Sequence, residues 1–215
     1  MIKDFDARRI DEPKLYDAIK TQDLNSIRRI VEMRPELIDS FTFLAGGGYQ
    51  HYAASNGKID ALGTLFQSGF SRDLRNGRDG DLPICSASRF GHADVVAYLI
   101  SLGQPLEVTP SVCNPLLAAI SGGRSAECVR LLLDAGIDAA HRYKGGPRGE
   151  MTATAYALMH GLPEIADMIA AHLAKGDENM QDEILKDAYR ILKKQPPMKQ
   201  RRILPSEEDL EPGGD

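Results

Sequence analysis

The sequence predicts an all-α fold, a short solenoid of about five helical repeats closed by a C-terminal capping helix. Three observations predict it. Glycines return at a fixed period, aliphatic residues between them keep helical spacing, and small residues cluster at one point of each period. Gly57 and Gly91 stand 34 apart, as do Gly69 and Gly103, and Gly103 and Gly136 stand 33 apart. Leu, Ile, Val and Ala dominate the 42% hydrophobic fraction, aromatics are 6%, and Trp is absent. Small and aliphatic side chains suit closely packed helices better than a large β-sandwich.

Residues 1–12 read as a loose arm and 13–174 as the repeat array. The opening unit carries Leu15, Ala18-Ile19, Leu24, Ile27 and Ile30-Val31. Asp39 to Gly48, with its triple glycine, is expected to be an irregular connection. Three units with a shared frame follow. The first runs from Tyr52-Ala53-Ala54 past Gly57 to Leu65-Phe66 and Gly69. The second runs from Leu82-Pro83 past Ala87 and Gly91-His92 to Leu99-Ile100 and Gly103. The third runs from Asn114-Pro115 past Ala118-Ala119 and Gly123 to Leu131-Leu132-Leu133 and Gly136. A fifth unit shows Ala153, Ala157-Leu158, Gly161, Ile165-Ala166 and Ile169-Ala170. Each glycine falls where a helix must end and the chain reverse. Residues 175–195 hold the capping helix, with Ile184-Leu185, Ala188 and Ile191-Leu192 on one apolar side. Pro196-Pro197 ends it, and 196–215 reads as a mobile tail.

The period and frame resemble the ankyrin repeat, a unit of about 33 residues made of a β-turn and two antiparallel helices. Leu82 to Gly103 carries the resemblance best, and the whole covers roughly residues 13 to 174. No unit holds an intact Thr-Pro-Leu-His signature. The step from Gly123 to Gly161 is 38, so His141 to Glu150 is read as an insertion in the turn. The resemblance places His51 at the signature histidine, a turn-bonding role. It also implies binding on the concave side, formed by turn tips and the outward residues of each first helix.

Chemistry is not legible. The histidines lie apart, with no His-x-x-x-His or Cys-x-x-Cys pair, and the glycine runs lack a Gly-Lys-Ser/Thr ending. No catalytic residue, cofactor or metal is therefore expected, and the chain is read as a non-enzyme. Cys85, Cys113 and Cys128 read as buried, reduced thiols. A net charge of −5 argues against a nucleic-acid partner. No apolar run is long enough for a membrane span, and the N-terminus lacks a secretion signal, so a cytoplasmic protein is expected.

What remains is surface for a protein partner. The outward residues on the concave side are Tyr52, Ser55, Asn56, Arg89, Phe90, Tyr156 and His160. The turn tips add Arg75 and Arg78, and the inserted loop adds Arg142, Tyr143, Lys144 and Arg148. These arginines would make the face locally positive and suit an acidic protein partner, because guanidinium forks match carboxylates. The free chain is expected to be a monomer. Likeness to small stand-alone bacterial ankyrin proteins suggests an immunity protein or inhibitor that neutralises a toxin or enzyme. The alternatives are an adaptor bridging two proteins and, further off, an enzyme with an unrecognised site.

Overall fold

The computed structural model describes residues 14–38, 47–77, 79–146 and 149–194. The expected N-terminal arm, the C-terminal tail and most of the connection from Asp39 to Gly48 lie outside the described residues. The elements are α1 (14–21), α2 (Leu24–Met33), α3 (Tyr49–Ser55), α4 (Ile59–Gln67), α5 (Pro83–Arg89) and α6 (Ala93–Ser101). They continue as α7 (Pro115–Ala118), α8 (Ala126–Asp134), α9 (Ala153–Met159), α10 (Pro163–Ala174) and α11 (Glu178–Lys193).

Odd-numbered helices stack on one another through α3, α5, α7 and α9, and even-numbered helices do so from α2 to α10. Each repeat thus presents one inner and one outer helix. Starts follow residue chemistry: Asn114 caps α7 by accepting from Leu116 N and Leu117 N, while Pro83, Pro115 and Pro163 occupy first-turn positions where no amide is needed. The alanines do the close packing, with Ala53, Ala87, Ala119 and Ala157 all fully buried between neighbours. Leu62, Leu65, Val95, Leu99, Val129 and Leu132 from the outer helices join them in one continuous core. No repeat could bury that surface alone, so stability resides in the contacts between repeats.

The inter-repeat stitch lies at the signature position of each inner helix. His51 is buried; its Nδ1 accepts from Gly48 N (3.2 Å), which leaves Nε2–H to donate to Asp81 O of the next repeat (2.9 Å). Cys85 holds the matching place and bonds through Sγ to Cys113 O (2.7 Å). All three cysteines are buried free thiols.

Two features depart from the simple period. In four repeats the turn between helices closes with a bond over five residues: Asp23 N to Ala18 O, Lys58 N to Ala53 O, His92 N to Ala87 O and Leu162 N to Ala157 O. In the fourth repeat the same bond, Ser125 N to Ala119 O, spans six. The extra residue is taken up by a π-helical turn, Ala119–Gly123, after which Arg124 rather than glycine takes the left-handed conformation at φ 46°. The insertion expected as a loop is instead an antiparallel hairpin, β1 (Tyr143–Gly146) with β2 (Gly149–Met151). The closing helix α11 packs on α9 and α10, burying Ala188 and Ile191 against Met151 and Ala155.

Candidate protein-interaction face

The register of the inner helices determines which side chains share a face. Tyr52, Ser86 and Tyr156 each stand five residues before a turn glycine, and Asn56, Phe90 and His160 stand directly before it. Because α3, α5, α7 and α9 are packed side by side, these positions form rows across the inner side of the array. The middle of the rows is nearly bare, with Ala118, Ser121 and Gly122 on the α7 segment. A Cβ on Gly122 would sit 2.5 Å from Arg89 O and 2.7 Å from Arg89 Cγ, so only glycine lets these two repeats approach there.

Three aromatics were expected on this face, and the structure treats them differently. Phe90 is 61% exposed and stands at the C-cap of α5. Tyr52 is half-buried, its ring edge-on to Tyr16 at 4.6 Å, and Tyr156 is half-buried against the His160 ring at 4.6 Å. Ser55 Oγ and Asn56 Nδ2 both donate to Tyr52 O (3.0 and 2.8 Å), tying off the end of α3. His160 O accepts from Arg124 Nη1 at 3.2 Å.

The arginines differ from expectation. Arg75 grips Glu107 with a two-armed fork, one arm at 2.9 Å, and also donates to Gly80 O. Arg142 donates from Nε to Glu150 (2.8 Å) and from both terminal nitrogens to Asp187 Oδ2 (2.9 and 2.8 Å), tying the hairpin to α11. Arg89 Nη2 donates to Asp81 Oδ2 at 2.6 Å. Arg75 and Arg142, two of the residues expected to make the face positive, and Arg89, expected among its outward residues, are thus each balanced by a carboxylate of the same chain. Tyr143, expected as an exposed aromatic in a basic loop, is half-buried; its Oη accepts from Asn114 Nδ2, and burial pushes the hydroxyl up to about 12. Arg78 and Arg148 lie outside the described residues, and the Lys144 side chain likewise.

Sequence reading missed Asp81. It is fully buried, its Oδ1 has no partner among the described residues, and burial raises its carboxyl above the ordinary carboxylate range while Arg89 opposes the rise. Its signal was an acid directly before Leu82-Pro83, eight residues ahead of an arginine. His92, expected at a helix start, stands at the N-cap position of α6, and its side chain bridges back to Ser55 O at 2.9 Å. No group of three or more His, Cys, Asp or Glu side chains among the described residues is placed to hold a metal ion.

The model for ankyrin repeats matches residues 50–143 in three copies. Residues 50–143 carry ankyrin repeats. The ankyrin architecture extends beyond them: the crystal structure of the human ASB11 ankyrin repeat domain superposes with a TM-score of 0.61 at 16% identity, covering 81% of this chain and 82% of that one. That likeness shows the fold alone. Among curated proteins, the probable E3 ubiquitin-protein ligase XBOS32 of Oryza sativa subsp. japonica is 31% identical over 123 residues, 56% of this chain and 24% of that protein. A second from the same species, XBOS33, also named a probable E3 ubiquitin-protein ligase, is 29% identical over 130 residues. The chain spans about a quarter of the length of these relatives. Ankyrin repeats are protein–protein interaction modules, and no described helix here is long and apolar enough to cross a membrane.

Proposed function

We propose that the chain recruits a protein partner on the inner-helix face, with Phe90 as the anchor. The observation that carries this is the 61% exposure of Phe90 at the end of α5, on a face made of packed helices. A large apolar ring left in water gains on burial against a partner, and such rings concentrate binding energy. Arg89 beside it is held by Asp81, so the surface is preformed and little ordering is lost on docking. With three arginines neutralised internally, an acidic contact surface on the partner is not required.

Two finer readings remain. In the first, docking blocks the partner, as an immunity protein or inhibitor does; a rigid preformed face supports it. In the second, the chain is an adaptor that presents its partner to another component, and the likeness to ubiquitin ligases over the repeat region favours this one. The test is capture of a stoichiometric partner by the wild type and by Phe90→Ala. Loss of the partner in the variant supports the face, and equal capture sinks it. The activity of the purified partner with and without the chain then separates inhibitor from adaptor.

A further inference from the structure

Charge is divided between the two helix layers. Residues 49–57, 83–91, 115–124 and 153–161, which hold α3, α5, α7 with its π turn and α9, contain no Asp or Glu. Outer helices carry the acids instead: Asp60, Asp94, Glu127 and Glu164 stand exposed at the second position of α4, α6, α8 and α10, where a helix N-terminus favours them. Two arginines stand on the acid-free side. Arg89 is paired with Asp81 and is still 39% exposed. Arg124 is exposed, donates to a backbone carbonyl, His160 O, and pairs with no carboxylate among the described residues. Its guanidinium therefore keeps its charge and its remaining donors. Since Phe90 and His160 both hold the C-cap position of an inner helix, this free cation lies along the row that contains Phe90.

The chain leaves the array beside this face. Ala188 and Ile191, near the end of α11, are buried with Met151 and Ala155, and Tyr156 and Met159 of α9 pack on the same cluster. Lys194 is thus next to the inner helix of the fifth repeat. Phe90 is two repeats away, or about 20 Å at the usual spacing of packed helices. Residues 195–210 span up to about 50 Å when extended, so they cover that distance with slack. The stretch Ile203-Leu204-Pro205-Ser206-Glu207-Glu208-Asp209-Leu210-Glu211 has four carboxylates and three aliphatic side chains, and no Lys or Arg. Its order matches the face as met from α9. Arg124 of the fourth repeat comes before Phe90 of the third, and Glu207 to Asp209 come before Leu210.

We propose that residues 203–211 lie back over the inner face as its internal occupant, with Glu207, Glu208 and Asp209 at Arg124 and Leu210 on Phe90. Opposite charge steers the segment to the face, and burial of Leu210 against the ring holds it there. Such a contact is weak between separate molecules. Joined to α11 by a short stretch of chain, the segment acts at an effective concentration on the order of millimolar. A partner docking on Phe90 must then displace it. That regulation rests on the function proposed above; the contact itself does not.

A nitroxide on Ser206→Cys of the full chain reads the contact directly, since the three native cysteines are buried. In amide-resolved NMR spectra Phe90, Gly122 and Arg124 should lose most of their intensity to the label, while Asp167 and Ile169 of α10 keep theirs. Leu210→Ser should restore the lost signals, and so should Glu207→Lys, Glu208→Lys and Asp209→Lys made together, neither variant touching the folded array. Salt at about 1 M should restore them in part, because it screens the exposed charges and leaves the apolar contact. Full intensity at all three amides in the wild type overturns the contact. So does loss confined to Leu173 and Ile184, which puts the segment between α10 and α11, and so does loss that survives both tail variants. Loss of equal size when the label sits on a second, isotope-free copy overturns it as well, making the contact one between molecules. Failure of the function above reads differently: the three amides broaden as expected, yet Phe90→Ala captures a partner as well as the wild type does.

Discussion

At the level of single residues, buried polar groups here are more sensitive to change than the exposed surface. His51 is held neutral because burial lowers its pKa below the ordinary imidazole value of about 6.5, and both ring nitrogens are engaged. As pH falls below about 6.5 the unfolded chain takes up a proton that the native chain resists, so stability declines on the acid side and is level above it. A Tm series from pH 8 to pH 5 should show that decline in the wild type. His51→Leu, which copies Leu117 of a later repeat, should start about 1–2 kcal/mol lower, for two lost hydrogen bonds, and fall less steeply. An unchanged slope would remove His51 as the cause. The pair of Asp81 and Arg89 gives a second, asymmetric expectation. Removing Arg89 strands a buried carboxylate, whereas replacing Asp81 by Asn leaves a guanidinium already 39% exposed to water. Arg89→Ala should cost about 1–3 kcal/mol in urea unfolding, with protonation of Asp81 capping the loss, and Asp81→Asn less than about 1 kcal/mol. Equal costs would mean the buried charge is not the controlling term.

Among the elements, the π-helical turn at Ala119–Gly123 tests whether an inserted residue is tolerated by accident or by fit. A Cβ on Gly123 would lie 2.9 Å from Gly91 N and also meet Ser88 O, both backbone atoms that cannot swing aside. Around Gly136, whose φ is +85°, nothing lies within 4 Å of an added Cβ. Gly123→Ala should therefore lose about 1–3 kcal/mol through overpacking between repeats, and Gly136→Ala about 1 kcal/mol through its backbone alone. Thermal unfolding of the two variants side by side measures the difference, and a smaller loss at Gly123 would mean the repeats can shift apart. The same elements show what the sequence made legible. The glycine period and aliphatic spacing located the helix pairs and the closing helix, because neighbouring repeats impose one register on all of them. The π turn was hidden, since the extra residue between Asn114 and Ser125 is outweighed by a shorter connection before Asn114, and the step from Gly103 to Gly136 is 33 where the one before it is 34. The rows containing Tyr52, Phe90 and Tyr156 followed from the period too. Their unequal exposure did not, because it depends on Tyr16 and His160 as neighbours. Pairing of Arg75 with Glu107 and of Arg142 with Asp187 crosses 32 and 45 residues of chain, beyond what local pattern can show.

For the molecule as a whole, the stitch between repeats weakens along the array. His51 and Cys85 each send a hydrogen bond to the backbone of the next repeat, while Leu117 and Ala155 hold the matching positions later on and can send none. At the far end α11 buries two side chains, Ala188 and Ile191, with Leu185 partly buried against the core, and is tied by the exposed pairing of Arg142 with Asp187, worth less than about 1 kcal/mol in water. An array whose stability is a sum of unit and interface terms opens first where those terms are smallest. Native-state hydrogen exchange should accordingly find α9, α10 and α11 opening together at lower free energy than α3 to α6. Arg142→Ala should lower the first group slightly and leave the second alone. Ala155→His offers the converse check: an imidazole at the signature position has no following repeat to bond to, so it should fail to raise protection in α9. Uniform protection from α3 to α11 would show instead that the aliphatic core alone couples the repeats, and that the hydrogen-bond stitch contributes nothing to their order of opening.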